Sequence, residues 1–288
     1  MKYYGNVFRP PSEARSLIIQ ATIGCSHNKC TFCYMYKDEP FIIRDIDDVI
    51  ADLEEDRDYF HYYERVFIAD GDALIIPTDK LLKLINYINE NMPNVKRISS
   101  YATAKDINLK SEEELKLLYD NGLKMLYIGF ESGDEEILRD INKGLTTQDY
   151  LEAMKKVHSV GFESSITIIA GLGGTAKWEQ NALGTADLIT KTKPDYVSYL
   201  TIRLYENASL YKDYAAGKFE MPTAEQILFE MRKFLENVDS EGTVFRSNHA
   251  SNYVLLGGTL NRDKEALIAQ IDETLKRKNF RPGMMRGF

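Results

Sequence analysis

Cysteine occurs at three positions of the chain, Cys25, Cys30 and Cys33, in the run Gly-Cys-Ser-His-Asn-Lys-Cys-Thr-Phe-Cys. The spacing is C-x4-C-x2-C. An odd, tightly clustered set is a poor disulfide framework, whereas thiolates this close gather naturally on a metal ion or cluster. A closed zinc site needs a fourth ligand. His27 sits inside the first Cys-to-Cys loop, where chain geometry opposes ligation of the same ion, and His61, His158 and His249 are remote in sequence. Plant-type [2Fe–2S] ferredoxins open with the same spacing but take a fourth cysteine, which this chain lacks. Three thiolates fit a [4Fe–4S] cluster with one iron lacking a protein ligand, an arrangement that suits chemistry better than electron carriage. An iron–sulfur electron-transfer protein, a zinc-stabilised binding module and three unremarkable thiols are the alternatives.

Such a site needs a scaffold, and the apolar periodicity describes one. Short β-branched runs at 16–20, 65–69, 97–101, 125–129, 165–169, 196–202 and 243–246 alternate with amphipathic stretches, the pattern of β-α units on a parallel sheet. Ile46, Val49, Ile50 and Leu53 form one helix face, and Leu81, Leu84, Ile85 and Ile88 another. Ser111 with Glu114 is a capping box, stopped by Gly122, while Thr146 and Gly161 frame the next helix. Pro222 and Thr223 open a helix bearing Ile227, Met231, Phe234 and Leu235, and Asn261 is read as the cap of the last one. Chemistry in such architectures collects beyond the carboxyl ends of the strands. The cysteine segment follows the first strand, Asp70-Gly71-Asp72 the second, Glu131-Ser132-Gly133 the fourth and Gly171-Leu172-Gly173-Gly174 the fifth. Four unusual segments are thus expected on one rim.

With these segments on the page, the chain resembles the radical S-adenosylmethionine (radical SAM) superfamily, whose usual signature is C-x3-C-x2-C with an aromatic residue before the last cysteine. Phe32 fills that place, and the extra residue between Cys25 and Cys30 makes the cluster loop longer. The resemblance implies that Cys25, Cys30 and Cys33 ligate three irons of a [4Fe–4S] cluster while S-adenosylmethionine (SAM) chelates the fourth. Asp70, Gly71 and Asp72 match the position of the Gly-Gly-Glu motif, with Asp72 as the acid facing the SAM ammonium; a polar turn is the plainer reading. Glu131 and Ser132 match the ribose-contacting segment, although Glu131 also suits a helix N-terminus. Lys143 resembles a basic residue that pairs with the SAM carboxylate, or is a surface lysine. The run at 168–174, with Gly171 and Leu172, is similar to the adenine-side segment of the coproporphyrinogen-oxidase-like branch. A glycine-rich turn alone is weak evidence.

The fold so implied is α/β, a partial TIM-like barrel with a (β/α)6-type parallel sheet and an additional C-terminal strand and helix. Its expected divisions are a lead-in at 1–14, a radical SAM core at 15–210 and a C-terminal extension at 211–288 that completes or closes the barrel. The implied activity is reductive cleavage of SAM to a 5′-deoxyadenosyl radical that abstracts hydrogen from a small organic substrate, fed by a low-potential electron donor such as flavodoxin or ferredoxin. With three cysteines in the chain, no auxiliary cluster, methyl carrier or radical relay can rest on cysteine.

Substrate contacts are expected from later strands. Tyr199 and Arg203 are an even number of residues apart, so a regular strand would point both to one face, where Arg203 can hold a carboxylate; an exposed arginine is the alternative. Arg246, Asn248, His249 and Asn252 form a polar group in which His249 is a candidate proton donor or acceptor, or a structural histidine. The basic segment with Lys276, Arg277, Lys278, Arg281 and Arg286 reads as a solvated tail or as a substrate-closing segment. Composition narrows the partners further. A net charge of −8 with 44% hydrophobic residues fits a globular protein with a large core and disfavours a general nucleic-acid binder. No apolar run approaches the ~18 residues of a membrane span, and residues 1–6 lack a signal-peptide core, so a cytoplasmic protein is expected.

Overall fold

The computed structural model describes residues 2–286; Met1, Gly287 and Phe288, at the outer ends of the expected lead-in and extension, lie outside the described residues. The strands are β1 (Leu17–Gln20), β2 (Thr22–Ile23), β3 (Ile42–Ile43), β4 (Arg65–Ala69), β5 (Arg97–Ala102), β6 (Leu123–Glu131), β7 (Glu163–Ala170), β8 (Tyr196–Thr201), β9 (Val244–Arg246) and β10 (Gly257–Thr259). The helices are α1 (Ile46–Glu54), α2 (Thr78–Asn91), α3 (Ala104–Leu109), α4 (Glu112–Asp120), α5 (Glu135–Asp140), α6 (Thr147–Val160), α7 (Trp178–Thr192), α8 (Ser209–Ala215), α9 (Ala224–Asn237) and α10 (Lys264–Arg277). The main sheet has the order β1-β4-β5-β6-β7-β8-β9-β10, mostly parallel, with β1 and β10 as its edges. This is the α/β architecture of a partial barrel. Among the described residues no helix is long and apolar enough to cross a membrane.

The chain's contacts divide into two compact units, the first comprising the chain up to Asn28 with Met35–Ile128 and Glu152–Ser164. Here β1 pairs in parallel with β4, Leu17 opposite Val66, and β4 with β5, Val66 opposite Ile98. Both faces of β4 are covered, which is why its sequence is continuously apolar rather than alternating. Val66, Ile68 and the α2 face of Leu81, Leu84, Ile85 and Ile88 are fully buried, each aliphatic side chain contributing about 1.5–3 kcal/mol. Phe67 and Ala69 belong to a cluster with Met125 and Tyr127, and Tyr101 stands edge-on to Phe67 at 4.9 Å. The capping box of Ser111 and Glu114 forms as expected, and a second, of Thr103 and Asp106, starts α3.

The second unit holds Lys29–Tyr34, Gly129–Leu151 and the chain from Ser165 onward. β8 runs parallel to β7, Ala170 opposite Thr201, and to β9, Tyr196 opposite Val244; β10 pairs antiparallel with β9. Thr223 caps α9 through Gln226. Tyr199 is buried against Phe234 and Phe245, at ring distances of 5.3 and 5.9 Å. It is a core aromatic of this unit.

Seven strands match the apolar runs, and the differences have physical causes. β10 is Gly-Gly-Thr, without the β-branched alternation that marks a strand. Asn261 does not cap α10: it adopts a left-handed φ of 66° and ties the Ser240 N–H and Asp239 instead, while Asp263 precedes the helix. β8 ends at Thr201, so the even-spacing argument for Tyr199 and Arg203 fails at the strand end. The basic tail is not wholly solvated, because Arg281 N–H donates to Tyr253 O at 2.8 Å.

Candidate functional site

In the first unit the chain leaves β4 through Asp70-Gly71-Asp72, and all three positions are constrained. The Ala69-Asp70 peptide is cis. Asp70 is fully buried, its N–H donates to Thr22 Oγ1 at 3.1 Å, and its carboxylate accepts from the Tyr36 hydroxyl. Burial raises its pKa to about 6, against the opposing hydrogen bonds from Tyr36, the backbone of Phe8 and Gly71, and Gln20. A Cβ at Gly71 would fall 2.7 Å from the Tyr36 ring and 3.0 Å from the Gly24 carbonyl, so glycine is the residue that fits.

Asp72 is also fully buried. Its Oδ2 accepts from the Ser26 hydroxyl, beside Cys25 in sequence, and its Oδ1 has no partner. Facing it is Asp106, 1% exposed, whose Oδ2 accepts from the Thr103 hydroxyl at 2.7 Å and amide at 3.1 Å, and whose Oδ1 is likewise without a partner. Burial, followed by the neighbouring Asp106, pushes the Asp72 carboxyl well above the usual carboxylate range. Two buried carboxyl groups with a bare oxygen apiece can share one proton or receive a cation. Asp106 escaped the sequence reading because an acid in the first turn of a short helix looks like a cap, which it also is.

In the second unit the segment bearing Cys30, Phe32 and Cys33 is tied at several points. Thr31 N–H donates to Ile141 O at 2.8 Å, Thr31 O accepts from Leu210 N–H at 2.8 Å, and Asn142 holds Lys29 O. The Tyr34 ring stacks on Tyr205 at 3.7 Å. None of Cys25, Cys30 and Cys33 is in a disulfide, and each is partly exposed. Phe32 is partly exposed as well.

Glu131 ends β6 with a left-handed φ of 67° and its carboxylate accepts from Lys143 Nζ at 2.9 Å, both side chains 12% exposed. Burial alone would lower the Lys143 pKa, but Glu131, then Tyr150 and Cys30, hold the ammonium above its ordinary value. Ser132 is buried and its hydroxyl donates to Asn181 Oδ1 at 2.6 Å. Asn181 donates in turn to Glu230 Oε1 at 2.7 Å, and both Glu230 oxygens accept from Gly171 N–H, at 3.1 and 3.0 Å. Burial raises the Glu230 pKa to about 8, opposed by Gly171 and Asn181. This chain joins the turn after β6 to the glycine segment after β7. Asn181 and Glu230 were invisible in sequence, since each interrupts the apolar face of an otherwise ordinary helix. Gly171 has φ 88° and Leu172 is buried.

Of the expected substrate contacts, Tyr199 is committed to the core, whereas Arg203 lies past β8 with its guanidinium 5.6 Å from the Tyr205 ring centroid. His249 Nδ1 accepts from Ser251 N–H at 3.1 Å, which places the proton of the neutral ring on Nε2. Burial, then Arg203, lowers its pKa.

A family model described as the radical SAM superfamily matches residues 19–183. The heme chaperone HemW of Bacillus subtilis (strain 168) is 23% identical over 165 residues, covering 57% of this chain and 43% of HemW. Among solved structures, the radical S-adenosylmethionine methyltransferase TsrM from Kitasatospora setae superposes with a TM-score of 0.58 and 16% identity, over 70% of this chain and 39% of TsrM. Coproporphyrinogen III oxidase (HemN) from Escherichia coli gives 0.56 and 17%, over 77% of this chain and 54% of HemN. The chain therefore spans about half the length of these relatives or less.

Proposed function

This chain belongs to the radical SAM superfamily, its matches to HemW and HemN support the coproporphyrinogen-oxidase-like branch, and from that premise we propose that it cleaves SAM reductively. The donor set suits the group: three thiols outside any disulfide, spaced to hold one iron each of a [4Fe–4S] cluster and to leave the fourth to SAM. When bound, the reduced cluster supplies the electron that splits SAM into methionine and a 5′-deoxyadenosyl radical, which takes hydrogen from a small organic substrate. The observation that carries the reading is this three-thiol segment inside the matched residues 19–183.

The chain's own residues then bind and orient. Asp72 and Asp106, buried with an unpartnered oxygen each, receive the SAM ammonium in place of a shared proton. Lys143 serves the SAM carboxylate, and Glu131 the ribose. Ser132, whose proton goes to Asn181, holds the turn that presents Glu131. Gly171 and Leu172 flank the adenine. Arg203 and His249 face the substrate. In this reading 15–210 is the catalytic core and 211–288 the extension, the protein acts in the cytoplasm, and a flavodoxin or ferredoxin is its reductant. An electron-transfer protein or a zinc module gives no use to the bare carboxyl pair.

The test is anaerobic reconstitution with iron and sulfide, reduction in the presence of SAM, and assay of 5′-deoxyadenosine. Wild type should form it, and Cys30→Ala should form none; undiminished product in that variant removes the ligand assignment.

A further inference from the structure

The last described residues bring bases together. Arg281 donates from Nη2 to Met285 O at 2.5 Å and reaches His249 O and Asn252 O from Nη1 at 3.5 Å. Arg286 donates from Nε to Ser251 O at 2.9 Å, and its guanidinium lies 3.4 Å from the Tyr253 ring centroid. Arg203 donates to Arg286 O. Three guanidinium groups therefore meet around the loop that carries His249, all within the second unit.

Assembling like charges costs Coulomb energy that backbone carbonyls offset only in part. Among the described residues, neither Arg281 nor Arg286 comes within 4.0 Å of a carboxylate. Among the described residues Arg286 commits one N–H, that on Nε, and a guanidinium has about five. Stacking on Tyr253 fixes its plane, so the remaining fork is pre-oriented. The cluster of bases also has an address, because Arg203 lies over Tyr205, and Tyr205 stacks on Tyr34, the residue after Cys33.

The geometry points to an oxyanion site in which Arg281 and Arg286, in the positive surroundings that Arg203 adds beside His249, take a carboxylate or phosphate group of the substrate and hold it beside the segment ending in Cys33 and Tyr34. Guanidinium forks match both groups in shape and charge. The anion site stands on these contacts alone; naming its ligand the substrate rests on the SAM-cleaving reading above.

The experiment is calorimetric titration of the reconstituted full chain at constant ionic strength held with chloride, with inorganic phosphate in one arm and succinate in the other. At least one probe should bind in the millimolar range, and Arg281→Gln and Arg286→Gln should each weaken it about tenfold. The probe that wild type binds more tightly assigns the group, and Arg286→Lys, which keeps the charge and loses the fork, should bind that probe less tightly than wild type. Thermal unfolding in chloride alone checks each variant, and Arg286→Gln carries the test if Arg281→Gln does not fold. No binding of either probe up to about 50 mM, or equal binding by wild type and Arg286→Gln, overturns the site. Formation of 5′-deoxyadenosine is read in parallel. Cleavage without anion binding removes this site alone, and anion binding without cleavage removes the SAM reading alone.

Discussion

Glu230 in the second unit and Asp72 in the first are both buried acids with raised pKa values, yet their surroundings treat them differently. Glu230 accepts at both oxygens, from Gly171 and Asn181, and those donors have no need of a further ligand. Asp72 accepts from Ser26 at one oxygen and leaves the other bare beside an equally bare Asp106. A buried polar group without a partner costs about 1–3 kcal/mol, and a fold that carries two adjacent ones gains when a cation arrives. The contrast separates an acid that fastens the scaffold from a pair open to a ligand.

The largest effect expected from that contrast is on folding. Glu230→Leu strips the buried Gly171 N–H of its acceptor and leaves the Asn181 amide with Ile169 O alone, at 3.2 Å, and should lower stability by about 2–4 kcal/mol in urea denaturation. Glu230→Gln keeps an acceptor and should cost less than about 1 kcal/mol. A Leu variant as stable as wild type would deny Glu230 its fastening role.

Asp72→Ala should show the opposite signature. Removing an acid held bare in the interior leaves urea stability within about 1 kcal/mol of wild type. Loss of the ammonium partner should weaken SAM binding by about ten- to a hundredfold, measured by equilibrium dialysis on reconstituted protein. Unchanged SAM affinity would detach the carboxyl pair from SAM.

The pH dependence of stability comes next. The folded Glu230 value of about 8 lies above the unfolded value of about 4.3. Between them the folded state holds the extra proton, so stability is fully present below the lower value and is lost as pH rises toward the upper. The slope is at most about 1.4 kcal/mol per pH unit. Urea midpoints should therefore fall from pH 5.5 to 8.5, with both values taken about the Glu230 range, and Glu230→Gln should flatten the fall. A wild-type midpoint that rises over this interval contradicts a protonated Glu230.

The sequence made the frame and the cysteine segment legible because both are written in local patterns. A continuous apolar run marked β4, a capping box marked α4, Pro222 and Thr223 marked the start of α9, and the cysteines announced themselves by count. What stayed hidden was polar and non-local. Asp106 and Asp72 are separated by a whole β-α unit, and Asn181 and Glu230 sit on α7 and α9 at positions where periodicity expects aliphatic residues. The anion site combines Arg203 with a tail that composition alone reads as solvated. Local pattern reports what an element buries; it does not report which buried polar atom meets which.

The smallest effect tests whether Ser132 belongs with the scaffold or with the ligand. Its hydroxyl has one proton, and that proton goes to Asn181 Oδ1, while its oxygen accepts from Asp134 N–H at 3.1 Å. A hydroxyl so engaged has little left for a ribose. Ser132→Ala should therefore cost about 1 kcal/mol of stability through the orphaned Asp134 N–H and the weakened Asn181 acceptor, which keeps the Thr185 hydroxyl at 3.5 Å. SAM affinity should change by less than about threefold, because Glu131 keeps its pairing with Lys143. A tenfold loss of SAM affinity at unaltered stability, on the order of 1.4 kcal/mol, would move Ser132 from the scaffold to direct contact with the nucleoside. The two carboxyl sites would then no longer divide so cleanly between fastening and binding.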